Sequence, residues 1–108
     1  MFKRASFTIS IDQVRRAHEE IYNGHWFTSV GKRFFDSHWA ETATLIGLKA
    51  YFVSSEQFHD GAHSEPRKYS VRVCDMASGD INTVGVFQAY FTIAQARAAI
   101  KKIVEEAS

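Results

Sequence analysis

The sequence predicts an α+β fold: a four-stranded, mainly antiparallel sheet covered on one face by an N-terminal and a C-terminal helix, in the order α-β-β-β-β-α. Two observations lead to it. Helix-capping patterns occur near both ends of the chain. Between them, four segments are rich in β-branched and aromatic residues and are separated by turn residues. The chain has 108 residues, the length of one domain, so we expect residues 1–108 to form a single core.

The first helix is predicted to begin near Ile11 and to end near Tyr22. Ser10 can cap it, and Gln13 stands three residues later, so the two form a capping box. Asn23-Gly24 then supplies a left-handed stop, because both residue types tolerate a positive φ. The start and the end of this helix are therefore both marked locally.

The C-terminal helix repeats this pattern. Thr92 can cap, Gln95 completes the box, and Phe91 is expected to pack against Ala96 as a hydrophobic staple. Its predicted outer face carries Arg97, Lys101, Lys102, Glu105 and Glu106, in which each lysine stands four residues before a glutamate. This face is expected to be a solvated ion-pair surface.

Four strands are expected between the helices, at residues 39–46, 48–54, 68–74 and 81–90. The strand over 68–74 has the clearest pattern, because its apolar residues alternate with polar ones. One of its faces should point into the core and the other should present Arg72 to solvent. Residues 77–80 indicate a hairpin turn between the last two strands. Residues 55–67 indicate a long loop.

Residues 25–35 show neither helical nor strand periodicity and are predicted to form a packed, irregular connector. Aromatic residues are concentrated in and beside it. They supply the candidate residues for partner binding, which are Trp26, Phe27, Phe34, Phe35 and Trp39. A core role for most of these rings is the competing interpretation, because so short a chain has few other large side chains to fill its interior.

The charge balance argues against a strongly basic nucleic-acid binder and against an acidic DNA mimic, since 13 Lys and Arg residues oppose 12 Asp and Glu residues. The basic residues nevertheless occur mostly as adjacent pairs, which would form a patch if several pairs shared a face. The pairs are Lys3-Arg4, Arg15-Arg16, Lys32-Arg33, Arg67-Lys68 and Lys101-Lys102. Scattered solvated charges are the alternative.

A cytoplasmic location without membrane contact is expected from the cysteine count and the hydropathy pattern. Cys74 is the single cysteine, so no intramolecular disulfide can form. Residues 1–6 begin like a signal peptide, but polar residues interrupt the apolar stretch that would have to follow. No apolar run approaches the length of a transmembrane helix.

No motif in the sequence predicts catalysis or a cofactor, because there is no nucleophile elbow, phosphate-binding loop or dinucleotide fingerprint. Cys74 falls on the polar face of its strand or at the strand's end, where a nucleophilic role is disfavoured. Glu56, His59 and His63 have the spacing of metal ligands on a helix. Asp60-Gly61 interrupts such a helix, so we expect a polar loop and no functional metal, with adventitious metal binding left open.

Two family resemblances bear on function. Residues 69–80, 84–87 and 92–99 resemble the strand-turn-strand-helix plan of plant AP2-type DNA-binding domains, over about forty residues. This resemblance implies nucleic-acid binding by an exposed sheet face, for which Arg67, Lys68 and Arg72 are the candidates. The sequence provides few other side chains that read base edges.

The second resemblance is longer and covers about residues 20–104. The segments at 23–27, 34–37, 51–56, 67–72 and 85–90 are similar to those of small uncharacterised proteins encoded by phages and other mobile elements. It implies a setting in which small proteins act by binding, including as anti-CRISPR inhibitors of host defence. The predicted function is therefore non-enzymatic binding of a host protein or complex, with nucleic-acid binding as the alternative. An exposed edge strand or Trp26 would equally serve a homodimer.

Overall fold

The computed structural model describes residues 5–28, 37–57, 59–60 and 63–107. The elements in chain order are β1 (Ser6–Ser10), α1 (Ile11–Glu20), β2 (His38–Trp39), β3 (Thr42–Ile46), β4 (Lys49–Glu56), β5 (His59–Asp60), β6 (His63–Ser64), β7 (Lys68–Asp75), β8 (Ile81–Val84) and α2 (Ile93–Glu106). All the strand pairs in this part of the chain are antiparallel. The α+β class and the antiparallel sheet are thus confirmed.

In the part of the chain that the structure describes, the main sheet has six strands rather than the four predicted. Its order is β1-β3-β4-β7-β8, and β2 pairs with β4 beyond the end of β3. The first additional strand, β1, pairs with β3 along its whole length. Its sequence, Ser-Phe-Thr-Ile-Ser, has the β-branched and aromatic content of a strand, and it runs directly into the cap of α1. Within the predicted loop 55–67, β5 and β6 form a separate two-stranded pair.

The second additional strand arises because a bulge divides the segment predicted at 39–46. Ala40 donates its N–H to the carbonyl of Val53 at 2.9 Å, and Thr44 stands opposite Tyr51. Ala40 and Thr44 are four positions apart, whereas their partners on β4, Val53 and Tyr51, are only two positions apart. The chain between Ala40 and Thr44 therefore bulges. The carbonyl of Glu41, inside the bulge, accepts the N–H of Ile11 at 2.9 Å. The bulge thereby ties the first residue of α1 to the sheet.

The two helices lie on opposite faces of the sheet, so the prediction that both cover one face is wrong. Phe52 of β4 belongs to a buried cluster with Val14 of α1. The next residue, Val53, belongs to a second cluster with Ala96 and Ile100 of α2. Successive side chains of a strand point to opposite faces, so these two clusters are separated by the sheet.

The capping predictions hold in detail for α1 and in part for α2. Ser10 accepts the N–H of Asp12, and Gln13 accepts the N–H of Ser10, which closes the capping box. The helix ends at Glu20, two residues before the predicted end, and the left-handed residue of the stop is Asn23.

At α2, Thr92 accepts the N–H of Gln95 at 3.1 Å. The Gln95 side chain bonds to the N–H of Phe91 and not to that of the cap residue. The Phe91 ring is mostly exposed rather than stapled to the helix.

A histidine joins the C-terminal end of α1 to the turn between β7 and β8. Buried His18 lies with its Nδ1 2.7 Å from the carbonyl oxygen of Gly79, and its Nε2 accepts the N–H of Trp26 at 3.1 Å. Gly79 has a φ of +79°, and a Cβ added there would lie 2.3 Å from the carbonyl oxygen of Ala17. Close approach of this turn to α1 therefore requires glycine at position 79.

Comparing two glycines tests this joint. Gly79 and Gly85 have similar positive φ values, but a Cβ at Gly85 would meet no atom within 4 Å. We expect Gly85→Ala to cost about 1 kcal/mol of unfolding free energy, from left-handed strain alone. Gly79→Ala should cost about 2 kcal/mol more, because the methyl group overlaps the backbone of α1. Urea unfolding of both variants measures the difference, and equal losses would contradict the contact.

Candidate functional site

Three of the five aromatic residues predicted to bind a partner, Trp26, Phe27 and Trp39, form part of the core. Trp26, Phe27, Trp39 and Phe52 surround one another, with ring centroids 4.7 Å apart for Trp26–Phe27 and 5.0 Å apart for Phe27–Trp39. Phe27 is 2% exposed, so its ring is not available to a partner. Trp26 and Trp39 are half-buried against the same cluster. Phe34 and Phe35 lie outside the described residues.

Arg72 is not an exposed basic residue, which corrects the prediction for the outer face of this strand. Its Nε donates to the Ser54 hydroxyl at 2.9 Å and one terminal nitrogen donates to the hydroxyl of Thr83. The other, Nη2, lies 3.1 Å from Oε1 of Glu56, and the two side chains of this ion pair are 12% and 4% exposed. The partners come from β4 and β8, the strands that flank β7. Burial and neutralisation of the guanidinium leave it unfit to read nucleic-acid bases.

The other two candidates for nucleic-acid binding are partly buried. Arg67 donates to the hydroxyl of Ser55 at 2.9 Å. Lys68 stands opposite Glu56 in the pairing of β4 with β7. Because Arg72 is paired with Glu56, its charge is not available to the basic patch predicted from Arg67, Lys68 and Arg72.

Within the described part of the chain, the Glu56 carboxylate accepts hydrogen bonds on one oxygen only. Its Oε1 receives both Arg72 and the Ser54 hydroxyl, each at 3.1 Å. Its Oε2 is buried and accepts no hydrogen bond from any residue that the structure describes. Buried polar groups of this kind are uncommon and costly. Burial of the Glu56–Arg72 ion pair therefore carries a desolvation cost, and the pair is not a simple gain in stability.

Above the ion pair lies the β8–α2 connection, residues 85–92. Arg72 stacks against two rings, with its Cζ 5.6 Å from the ring centroid of Trp26 and 5.0 Å from that of Phe87. Such cation–π contacts hold a ring against a guanidinium with about 0.5–2 kcal/mol. The buried pair thus positions Phe87.

Four residues of the connection are excluded from the sheet. Val84 pairs with Val71, so a continuous strand would place Val86 opposite Tyr69. The residue opposite Tyr69 is instead Tyr90, and the two exchange hydrogen bonds of 2.8 and 3.1 Å. The strand predicted to reach residue 90 therefore ends at Val84 and resumes as a single bridge. The excluded residues leave the sheet register and pass over one face of β7, where Phe87 contacts Arg72 and the N–H of Gln88 bonds to the hydroxyl of Ser70.

The β8–α2 connection presents apolar side chains on a fixed backbone, those of Val86 and Phe87 within the excluded segment and that of Phe91 directly after Tyr90. Val86 is 72% exposed, Phe87 48% and Phe91 69%, and we call these three residues the apolar loop. Gln88 adopts a φ of +57° and donates its N–H to the buried hydroxyl of Ser70 at 2.8 Å. The loop was not predicted, because residues 81–90 have the sequence pattern of a single strand. The one signal for it in the sequence was Gly85, since a glycine within a strand pattern marks a bulge.

The remaining chemical candidates are Cys74 and the spaced residues Glu56, His59 and His63. Within the described part of the chain, no group of three His, Cys, Asp or Glu side chains could hold a metal. Glu56 is engaged by Arg72, and the side chains of His59 and His63 lie outside the described set. Cys74 is fully buried, and desolvation, followed by the charges of Asp75 and Asp80, raises its pKa to about 11. At neutral pH its thiol is protonated and inaccessible.

Comparison with known proteins identifies a family and no characterised relative. The model of a family of unknown function, DUF7447, matches residues 10–101. No curated protein and no solved structure matches. Among the helices described, none has the length and apolar content to cross a membrane.

Thiol reactivity tests the environment of Cys74. The native protein should react with a thiol reagent at pH 8 only through opening of the fold, because the thiol is both buried and held protonated. The rate should rise to that of a free cysteine in denaturant. Rapid, complete labelling under native conditions would show an accessible thiolate and reopen a catalytic role.

A double-mutant cycle tests the ion pair. Glu56→Met and Arg72→Met should each lower the unfolding free energy by about 3 kcal/mol, because each leaves the other charge buried without its partner. The double variant should lose much less than the sum of the two, since it buries no charge at all. Additive losses in urea unfolding would mean that the two side chains do not interact.

Proposed function

The chain belongs to DUF7447, a family of unknown function, and we propose that it is a non-enzymatic protein that binds a protein partner through its apolar loop. The observation that carries the proposal is the set of four residues excluded from the sheet register beside Tyr90. Two of them, Val86 and Phe87, expose apolar side chains, and Phe91 exposes a third directly after Tyr90. Exposed apolar groups of this size are typical of interaction sites.

The loop has the rigidity that a binding site benefits from. Its backbone is fixed by the Tyr69–Tyr90 bridge and by the bond from Gln88 to Ser70. Phe87 is fixed by Arg72 beneath it. Side chains already ordered in the free protein lose less conformational entropy on binding, so more of their burial contributes to affinity. Aromatic anchors on such a support resemble the hot spots of protein interfaces.

A protein partner is favoured over a nucleic acid by the contacts of Arg72. The guanidinium is buried against Glu56, and phosphate or base recognition needs accessible cations. The nucleic-acid alternative keeps Arg67 and Lys68 as its candidates. It requires an affinity that falls steeply with salt. Salt-insensitive or absent binding of duplex and single-stranded oligonucleotides would eliminate it.

Inhibition of a host defence system, in a phage or mobile-element setting, is the narrower form of the proposal. The family resemblance over residues 20–104 motivates it. In that form the partner is a component of a defence complex, and expression of the chain should lower interference by that system. Unchanged interference across candidate CRISPR systems at high expression would remove the narrower form and leave the binding proposal standing.

Site-specific photocrosslinking tests the apolar loop. A photoreactive residue at position 86 should capture a discrete partner in the cells that encode the chain, and Val86→Ser with Phe91→Ser should abolish co-purification of that protein. Position 48 is the matched control, because Leu48 is 65% exposed in the turn between β3 and β4. Capture of the same proteins from positions 86 and 48, or unchanged co-purification by the double variant, would contradict the proposal.

A further inference from the structure

A groove on the α2 face of the sheet carries a second candidate site, separate from the apolar loop. It lies between α2 and the uncovered part of β3 and β4, and its volume is about 310 Å³. Its polar wall is formed by Thr42, Thr44, Tyr51, Arg97 and Lys101. Its size is at the lower end of the range for small-molecule sites.

The two cations of this groove have no ion-pair partner among the residues that the structure describes. Arg97 and Lys101 stand four residues apart on α2, so their side chains emerge from the same side of the helix. Neither makes a salt bridge within the described residues, and the predicted pairing of Lys101 with Glu105 is not formed. The groove is lined by no carboxylate from this part of the chain. It therefore presents two positive charges that no carboxylate of the described residues neutralises.

Hydroxyl groups face these cations from the sheet. Thr44 stands directly opposite Tyr51 across the β3–β4 pair, and Thr42 lies two residues along on the same face. Their hydroxyls make no hydrogen bond to another described residue. Three hydroxyls, a guanidinium and an ammonium thus converge on one space as available donors.

The floor of the groove is apolar and is formed by Ala40, Val53, Ile100 and Val104. A free inorganic anion would leave this surface uncovered. A ligand that carries both a charged group and an organic body would use the whole groove.

We propose that this groove binds a phosphomonoester of about nucleotide size. A terminal phosphate has three strongly accepting oxygens and up to two negative charges, which match two cations and several donors better than a carboxylate does. The phosphate lies between Arg97 and Lys101, and the organic body covers the apolar floor beside Tyr51. This assignment is independent of the apolar loop, because it uses other residues on another part of the surface.

Titration with AMP, adenosine and inorganic phosphate, followed by amide NMR, tests the site. AMP should bind saturably at sub-millimolar concentrations and shift the amide signals of Thr42, Thr44 and Tyr51. Adenosine and phosphate should each bind more weakly than AMP at the same residues. Arg97→Gln and Lys101→Gln should each weaken AMP binding about ten-fold, the effect of losing one charge-assisted contact.

Lys102→Gln is the matched control, because Lys102 is an exposed neighbour on the same helix that does not line the groove. It should leave the affinity unchanged. Thr44→Val alters no charge and should still weaken AMP binding, which a diffuse attraction to a basic surface would not explain. Equal losses in Lys102→Gln, absence of saturable AMP binding, or binding restricted to oligonucleotides would each overturn the proposal.

Discussion

The fold depends on the pairing of β4 with β7, because these two strands are buried on both faces. They pair from Lys49 opposite Asp75 to Glu56 opposite Lys68, along their whole lengths. One face carries Phe52 and Cys74 under α1 and the other carries Val53 and Val71 under α2. A pair of strands covered on both sides needs a helix for each face. The other strands of the main sheet attach to this pair: β2, β3 and β8 pair with it directly, and β1 pairs with β3.

How much the sequence predicted follows from how local each signal is. The caps at Ser10 and Thr92 and the strand from Lys68 depend on neighbours within a few residues, and they were predicted correctly. The placement of the helices was not, because the central strand, Ala-Tyr-Phe-Val-Ser-Ser, has no alternation that distinguishes an inner from an outer face. In an open antiparallel sheet with one solvated face, alternation would have been present.

The candidate site was predicted less well, because its contacts join residues that are distant in the sequence. The role of Arg72 is fixed by Glu56, sixteen residues away on another strand, and no local pattern reveals such a partner. The sequence indicated a basic outer face, whereas the strand pairing brings a carboxylate onto it. The aromatic residues near Trp26 were predicted to form a binding surface, but Trp26, Phe27 and Trp39 pack in the core under α1. The exposed residues Val86 and Phe87 were not predicted, because they lie in a segment whose composition is that of a strand.

The two faces also differ in what they leave available for binding. Under α1, the aromatic cluster and the Glu56–Arg72 pair occupy the sheet from β4 across β7 to Thr83 of β8. On the opposite face, α2 packs on β4 and β7 and leaves the hydroxyl residues of β3 uncovered at its side. The α2 face therefore carries the hydroxyl and cationic donors of the proposed ligand groove. The exposed apolar side chains proposed to bind a protein partner follow β8, which stops short of the end of β7. The apolar loop is thus present because β8 is short, and the groove is present because α2 covers only part of its face of the sheet.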